Sequence, residues 1–424
     1  MSCPKCQGRS RRRWLLPAVV LAAVLLVTVA HAGEPAPLGL TDAVRLALAR
    51  QPVLDAQAAA VDAAAATAVA AGQWPDPKLR VGLASLPLDT YSFTQEAMTQ
   101  FTVAVSQTVP VAGKARLAGA RGERASELAR AQLEAVRRRV ARDAALAWLA
   151  AWWPEASLDL VRRIGREWDG QLAWADVAYQ TDKLAQDEVV AMRGQAQVNG
   201  DRQDDLARQA RRGRAELARW LGEATAAPLA DPADVPALPA PAELAARLDD
   251  HPELAALAGA VAVARAEVDL ARAAYKPDLT FDVGYGLRGA ERPDLISFGV
   301  AMDLPVFTAN RQDRRLAAAE ARVTQAEQTL ADRRLGLRAE LDAALADWQA
   351  AHRRIARFDQ EILPLASQRV TSALNAYASD RATFGRVAEA RRAELEARLG
   401  RLGQRVALAR AQVQIDYLTQ EVQP

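Results

Sequence analysis

Four short segments alternate apolar with small or polar residues at the two-residue period of a strand. In FTVAVSQTV, Phe101, Val103, Val105 and Val109 fall on one face and Thr102, Ala104, Ser106 and Thr108 on the other, and only Gln107 breaks the apolar side. Ile296, Phe298, Val300, Met302 and Leu304 alternate in the same way, as do Leu79, Val81 and Leu83, and Leu279, Phe281, Val283, Tyr285 and Leu287. Around them, apolar positions recur every three or four residues over far longer stretches, the period of a helix. Leu395, Leu399, Leu402, Val406, Ala409 and Val413 form a coiled-coil seam. Val323, Ala326, Leu330, Leu337, Leu341, Leu345 and Trp348 form a second stripe. The pattern predicts helices at about 41–73, 111–178, 183–221, 243–275, 306–376 and 382–420, with strands at about 78–87, 100–109, 278–288 and 295–304. Pro154 and Pro364 are expected to kink or break the long helices, and Trp148, Trp152 and Trp153 to pack near the first of them.

The chain is built twice. WPDPKLRVGL near residue 80 returns as KPDLTFDVGY near 280, and FTVAVSQTVPVAGKAR (101–116) as ISFGVAMDLPVFTANR (296–311), with Pro110 and Pro305 in equivalent places. Tyr179, Asp182, Lys183, Val189 and Arg193 recur as Tyr377, Asp380, Arg381, Val387 and Arg391. This internal repeat divides the chain into 33–222 and 243–424, joined by a proline-rich linker at 223–242, a composition no helix or central strand tolerates. Each half reads helix, two strands, long helix, return helix. A helix over 111–178 is about 100 Å long, so the two shorter helices of that half are expected to stack end to end beside it, with the linker at mid-height.

Residues 1–32 carry Lys5, Arg9, Arg11, Arg12 and Arg13, then an apolar run from Trp14 to Ala30 and a small-x-small site. That predicts a signal peptide cut after Ala32. Loss of its five basic residues lowers the formal charge from +2 to −3, and nothing in that balance points to nucleic acid. Cys3 and Cys6 leave with it, so the mature chain would have neither disulfides nor thiolate metal sites. After residue 33 no apolar run is long enough for a membrane helix, which leaves a barrel as the way into a bilayer.

Each strand is about 10 residues, enough to cross a bilayer when tilted. A half-buried sheet in a soluble protein would alternate in the same way. However, the neighbouring helices continue the strands rather than cover them, and lipid requires every backbone N–H and C=O to be paired. Four strands cannot close, and spanning barrels begin at about eight, so several copies are needed. The strand would then cross the membrane, Pro110 or Pro305 would end the ladder at its rim, and the helix would carry the wall onward, proline being tolerated in a helix's first turn.

On the duplicated PDP and PDL segments, the strand–proline–helix junctions and the helix tips AYQTDKLAQDEVVAMR and AYASDRATFGRVAEAR, the chain resembles the TolC family of outer-membrane efflux proteins, in its heavy-metal resistance-nodulation-division branch. The resemblance covers nearly all of 38–421. It implies a mainly α fold with a membrane β-barrel: a homotrimer whose four strands per protomer close a twelve-stranded barrel in outer-membrane lipid, continuous with an α-helical coiled-coil tunnel in the periplasm. It further implies a passive, non-enzymatic duct without cofactors. The partners would be a periplasmic adaptor and an inner-membrane pump, and the cargo small solutes such as heavy-metal cations. A duct for type I protein secretion or multidrug efflux would share these features, and a periplasmic coiled-coil scaffold would need no lipid-facing strands.

By position, Tyr179, Lys183, Tyr377 and Arg381 are candidate adaptor contacts. Copies of Asp182, Asp187 or Asp380 could form a carboxylate ring that gates the tip, or merely cap and solvate a turn. Gly33 stands where many relatives carry a lipid-modified cysteine, so the anchor is expected to be absent. Chemistry is otherwise sparse. Gly284, Gly286 and Gly289 spell GxGxxG inside a strand rather than before a helix, and the mature histidines, His251 and His352, lie on separate segments. No catalytic, cofactor or metal site is expected.

Overall fold

In a computed structural model, the described residues are 36–181, 184–289, 292–379 and 381–419. They form helices α1 (Leu40–Arg50), α2 (Pro52–Ala71), α3 (Lys114–Gln180), α4 (Gln186–Leu221), α5 (Pro241–Arg247), α6 (Pro252–Ala273), α7 (Gln312–Arg357), α8 (Leu363–Ala378) and α9 (Phe384–Thr419). Strands β1 (Lys78–Ala84), β2 (Gln100–Val109), β3 (Leu279–Leu287) and β4 (Leu295–Met302) form one antiparallel sheet in the order β1-β2-β3-β4. Thus 73% of the described residues are helical, 3₁₀ and π turns included, and helix, two strands, long helix, return helix occurs twice along the chain.

Several predicted boundaries move, each for a local reason. The helix at 41–73 is two helices, because Gln51 before Pro52 takes an extended conformation (φ −76°, ψ 117°). The helix at 243–275 is interrupted likewise at His251–Pro252, after a 3₁₀ turn at Leu248–Asp250. β1 stops at Ala84 because Ser85 has a positive φ of 58°. The helix at 306–376 begins only at Gln312 and divides at a π-turn, Phe358–Ile362, just before Pro364. That wider turn accommodates the proline ring. Of the kink or break expected at Pro154, no break occurs: α3 is continuous through it.

α3, 67 residues long, is the axis of packing. α2 lies against its first third, where Gly119 faces Gly72 and Gly122 faces Ala68. A Cβ on Gly122 would come within 2.6 Å of the Ala68 Cα. α4 lies against its later part, where a Cβ on Gly213 would meet the Ala151 Cα at 2.8 Å and the Ala150 carbonyl at 2.9 Å. Between them α1 buries Ala43 and Ala47 in a cluster with Val140, Ala144, Trp148, Leu149 and Trp152. Trp148 and Trp152 stack at 6.4 Å, and Trp148 Nε1 donates to the Leu38 carbonyl at 3.1 Å. The linker crosses at this level. Leu38 and Leu229 form a parallel bridge, and Arg214, paired with Glu155, donates to the Thr225 and Ala227 carbonyls.

The α9 seam divides between clusters. Leu395 and Leu399 pack with Trp168 and Val387 near the helix tips, while Leu402, Val406, Ala409 and Val413 join the Trp148 cluster. Leu337, Leu341 and Leu345 of α7 pack with Leu244, Leu248 and Leu254 and with Ile415 and Leu418 of α9. Beside this last cluster His251 is 1% exposed. Its Nδ1 accepts from the Glu253 N–H at 3.2 Å, its ring meets Tyr417 edge to face at 5.1 Å, and its Nε2 has no protein partner. Burial, with the Arg138 charge nearby, pushes its pKa down to about 4. Glu253 is opposed by its own burial, but the ion pair with Arg333 outweighs that and holds its carboxyl below the usual range.

Two predictions follow from this packing. Gly122→Leu forces side-chain atoms into the α2 backbone, and the melting temperature followed by circular dichroism should fall, in line with an overpacking cost of roughly 1–3 kcal/mol. For His251 the folded state resists the proton that the unfolded chain accepts near pH 6.5. Its contribution is therefore intact above pH 6.5 and lost as pH falls toward 4, a penalty of about 3 kcal/mol. The wild-type melting temperature should drop more steeply across that window than that of His251→Gln. Parallel pH profiles would refute the assignment.

Candidate channel wall and tip

The strand register places the large apolar residues of the pattern on one side of the sheet, except Leu304, which lies beyond the end of β4. Leu79, Val105, Val283 and Phe298 form one cross-strand row, and Val81, Val103, Tyr285 and Ile296 the next. Gln107 sits in a row with Phe281 and Val300, and its amide donates to the Pro75 carbonyl at 2.9 Å, which removes the polar group from the apolar surface. This face is bare: Phe298 is 80% exposed, Leu79 68% and Ile296 64%. For eight residues β4 has no covered position.

The opposite face carries Lys78, Arg80, Thr102, Ser106, Thr108, Thr280, Asp282 and Ser297 among glycines and alanines. Thr108 and Thr280 hydroxyls lie 3.0 Å apart, and Thr102 donates to the Gly82 carbonyl at 3.2 Å. Gly284 and Gly286 belong to this face, packed under Ser297 and Gln100. The GxGxxG is therefore strand and loop, as its context in the sequence suggested.

Neither junction proline lies in a helix's first turn. Pro110 ends β2, but Ala112 and Gly113 follow with φ of 60° and 68° before α3 begins at Lys114. Pro305 stands seven residues before Gln312, ahead of a 3₁₀ turn at Thr308–Asn310. Proline closes the ladder because it has no N–H to donate, and a separate left-handed step or 3₁₀ turn reorients the chain. At the first junction Asp278, just before β3, accepts from the Val111 N–H at 3.0 Å and from Lys114 Nζ at 2.8 Å. Sequence comparison marked Pro277–Asp278 only as part of the repeat. Its role as the tie between the second hairpin and the first long helix needed the fold.

At the other end of the helices, Asp182, Lys183 and Asp380 lie outside the described residues. Asp187 is exposed in the first turn of α4 and lines a groove of about 370 Å³ with Glu188, Phe384, Glu389 and Arg392. Tyr179 is 44% exposed, while Arg381 is exposed and its N–H donates to the Ala376 carbonyl at 2.8 Å. Tyr377 differs from its sequence counterpart. It sits edge to face with both Trp174 (6.1 Å) and Phe384 (5.6 Å), and Phe384 in turn meets Trp168. This aromatic group packs the two helix pairs together near their tips, and the sequence reading missed it. Among the described residues no three His, Cys, Asp or Glu side chains gather as a metal site.

A family profile described as outer membrane efflux protein matches residues 245–419. No curated protein matches the sequence. Among solved structures, CusC, described in terms of folding and transmembrane channel formation, superposes with a TM-score of 0.78 at 18% identity over 91% of this chain and 92% of that one. The outer membrane protein VceC of Vibrio cholerae gives 0.75 at 19% over 90% and 96%. The Campylobacter jejuni CmeC outer membrane channel gives 0.76 at 14% over 90% and 85%. The chain thus has the fold of these outer-membrane channels over nearly its whole length.

Replacing Asp278 by Ala should loosen the junction by about 1–3 kcal/mol, since it strips a charge-assisted bond from the Val111 N–H and leaves Lys114 unpaired. Asp278→Asn should retain much of the lost stability, and comparison of the two melting temperatures checks it.

Proposed function

We propose that this chain is the outer-membrane component of a tripartite efflux system. Three copies close a twelve-stranded barrel in lipid and a helical tunnel in the periplasm, and together serve as a passive exit duct. An inner-membrane pump drives small solutes through a periplasmic adaptor into this duct, and heavy-metal cations are the cargo that the sequence resemblance implies. Tyr179, Lys183, Tyr377 and Arg381 are the candidate contacts for the adaptor, and Asp182, Asp187 and Asp380 the candidates for a carboxylate gate. The duplicated segments of the two halves correspond to the two strand pairs and two helix pairs of the wall.

The observation that carries this reading is the one-sided apolar sheet with open edges at β1 and β4. Such a sheet is stable in hydrocarbon only when further copies pair those edges. The shared fold with outer-membrane channels and the family match over the second half support the same reading. So does α2, which is apolar enough in composition to cross a membrane, yet is mostly exposed along the side not held by α3. Neighbouring copies would cover it.

The reading is tested by fractionation and by a pair of charges. The wild type should sediment with outer membranes and migrate as a trimer in mild detergent. Phe298→Arg, placing a charge on the lipid side at a cost of about 2–4 kcal/mol, should sharply lower the yield of assembled trimer, while Ala301→Arg on the other face should not. Water-soluble monomer without detergent, or equal effects of the two variants, would sink the proposal.

A further inference from the structure

The polar face of the sheet carries an uneven set of charges. Among the described residues of the four strands these are Lys78 and Arg80 of β1 and Asp282 of β3. The register separates them into rows. Lys78 lies across from Ser106, Asp282 and Gly299, so acid and base share a row, separated by β2 and thus by about 10 Å. Arg80 lies in the next row toward the hairpin loops, across from Ala104, Gly284 and Ser297, where no acid offsets it. Both basic side chains are exposed, and neither has an ion-pair partner among the described residues. The acids at the helical end lie off the Arg80 row: Asp278 is bound to Lys114, Asp76 stands two residues before β1 begins at Lys78, and Asp303 lies one residue past the end of β4.

We infer that Arg80, assisted by Lys78, forms a basic ring inside the barrel that favours negatively charged solutes and opposes free cations. This rests on the duct reading above, which turns the polar face inward and brings the copies' Arg80 side chains to one height. Inside a low-dielectric wall, ringed charges of one sign focus the potential along the path and set which ions pass. The small neighbours Ala104 and Gly284 leave the guanidinium free to reach into the lumen rather than pack on the wall. A free divalent cation meets repulsion here twice over, so a metal cargo would cross this level more readily when bound by anionic ligands. The barrel filter is separate from the candidate carboxylate gate at the opposite end, and the two act on opposite signs of charge.

Purified full-length protein in planar bilayers under a potassium chloride gradient tests this through the reversal potential. Arg80→Glu should lower the chloride-to-potassium permeability ratio by at least about twofold, Lys78→Gln should lower it less, and Arg80→Lys should leave it unchanged. Trimer migration identifies variants that assemble, and Arg80→Gln serves if the glutamate does not. An assembled Arg80→Glu or Arg80→Gln variant with the wild-type ratio would overturn the inference alone. A wild type that conducts nothing would overturn the duct reading and this inference with it.

Discussion

A backbone amide in hydrocarbon has no water to fall back on, and in this chain β1 and β4 each expose a row of N–H and C=O groups along an outer edge. If their apolar faces meet lipid, as proposed, the edges are the point of conflict. Association between copies would then be the physical solution, and the rest of the proposed architecture follows from it: a closed barrel, a lumen on the polar side and helices that continue the wall. The same constraint explains why so much apolar surface, such as Phe298 and Ile296, is left uncovered by the chain's own helices.

The helical part obeys a different rule. A 67-residue helix has no interior of its own, so it is held by contacts repeated along its length. Small residues set the closest approaches, with Gly122 against Ala68 and Gly213 against Ala151. Large aromatics fill the levels where several helices converge, at Trp148 and Trp152 near the linker and at Trp168, Phe384 and Tyr377 near the tips. Most surface ion pairs, such as Arg45 with Asp42, are exposed and contribute little to stability. The buried neighbourhood of His251, Glu253, Arg333 and Tyr417 is different, because there each polar group's charge state depends on its neighbours.

The two ends of the proposed duct would then divide the work. Acidic residues outnumber basic ones in the tip groove, Asp187, Glu188 and Glu389 against Arg392, and basic ones outnumber acidic ones within the strands' polar face, Lys78 and Arg80 against Asp282. A solute on that route would meet one sign of charge near the pump and the other near the exit.

The amino-acid sequence alone determined the alternation of the strands, the long helical periods, the repeat and the linker, because these depend on local spacing and on what proline forbids. Its errors fall where a single backbone step decides the outcome, at Gln51–Pro52, at Ser85, and at Ala112–Gly113, which lets the chain turn before α3 and leaves Pro110 outside the helix. Only the tertiary structure decided the register that gathers the alternating apolar side chains of the four strands on one face and leaves Arg80 without an acid in its row. It also decided the tie from Asp278 to Val111 and Lys114 and the unequal fates of Tyr179 and Tyr377. Those depend on residues more than 150 positions apart or on which neighbour a side chain meets, and no local pattern encodes either.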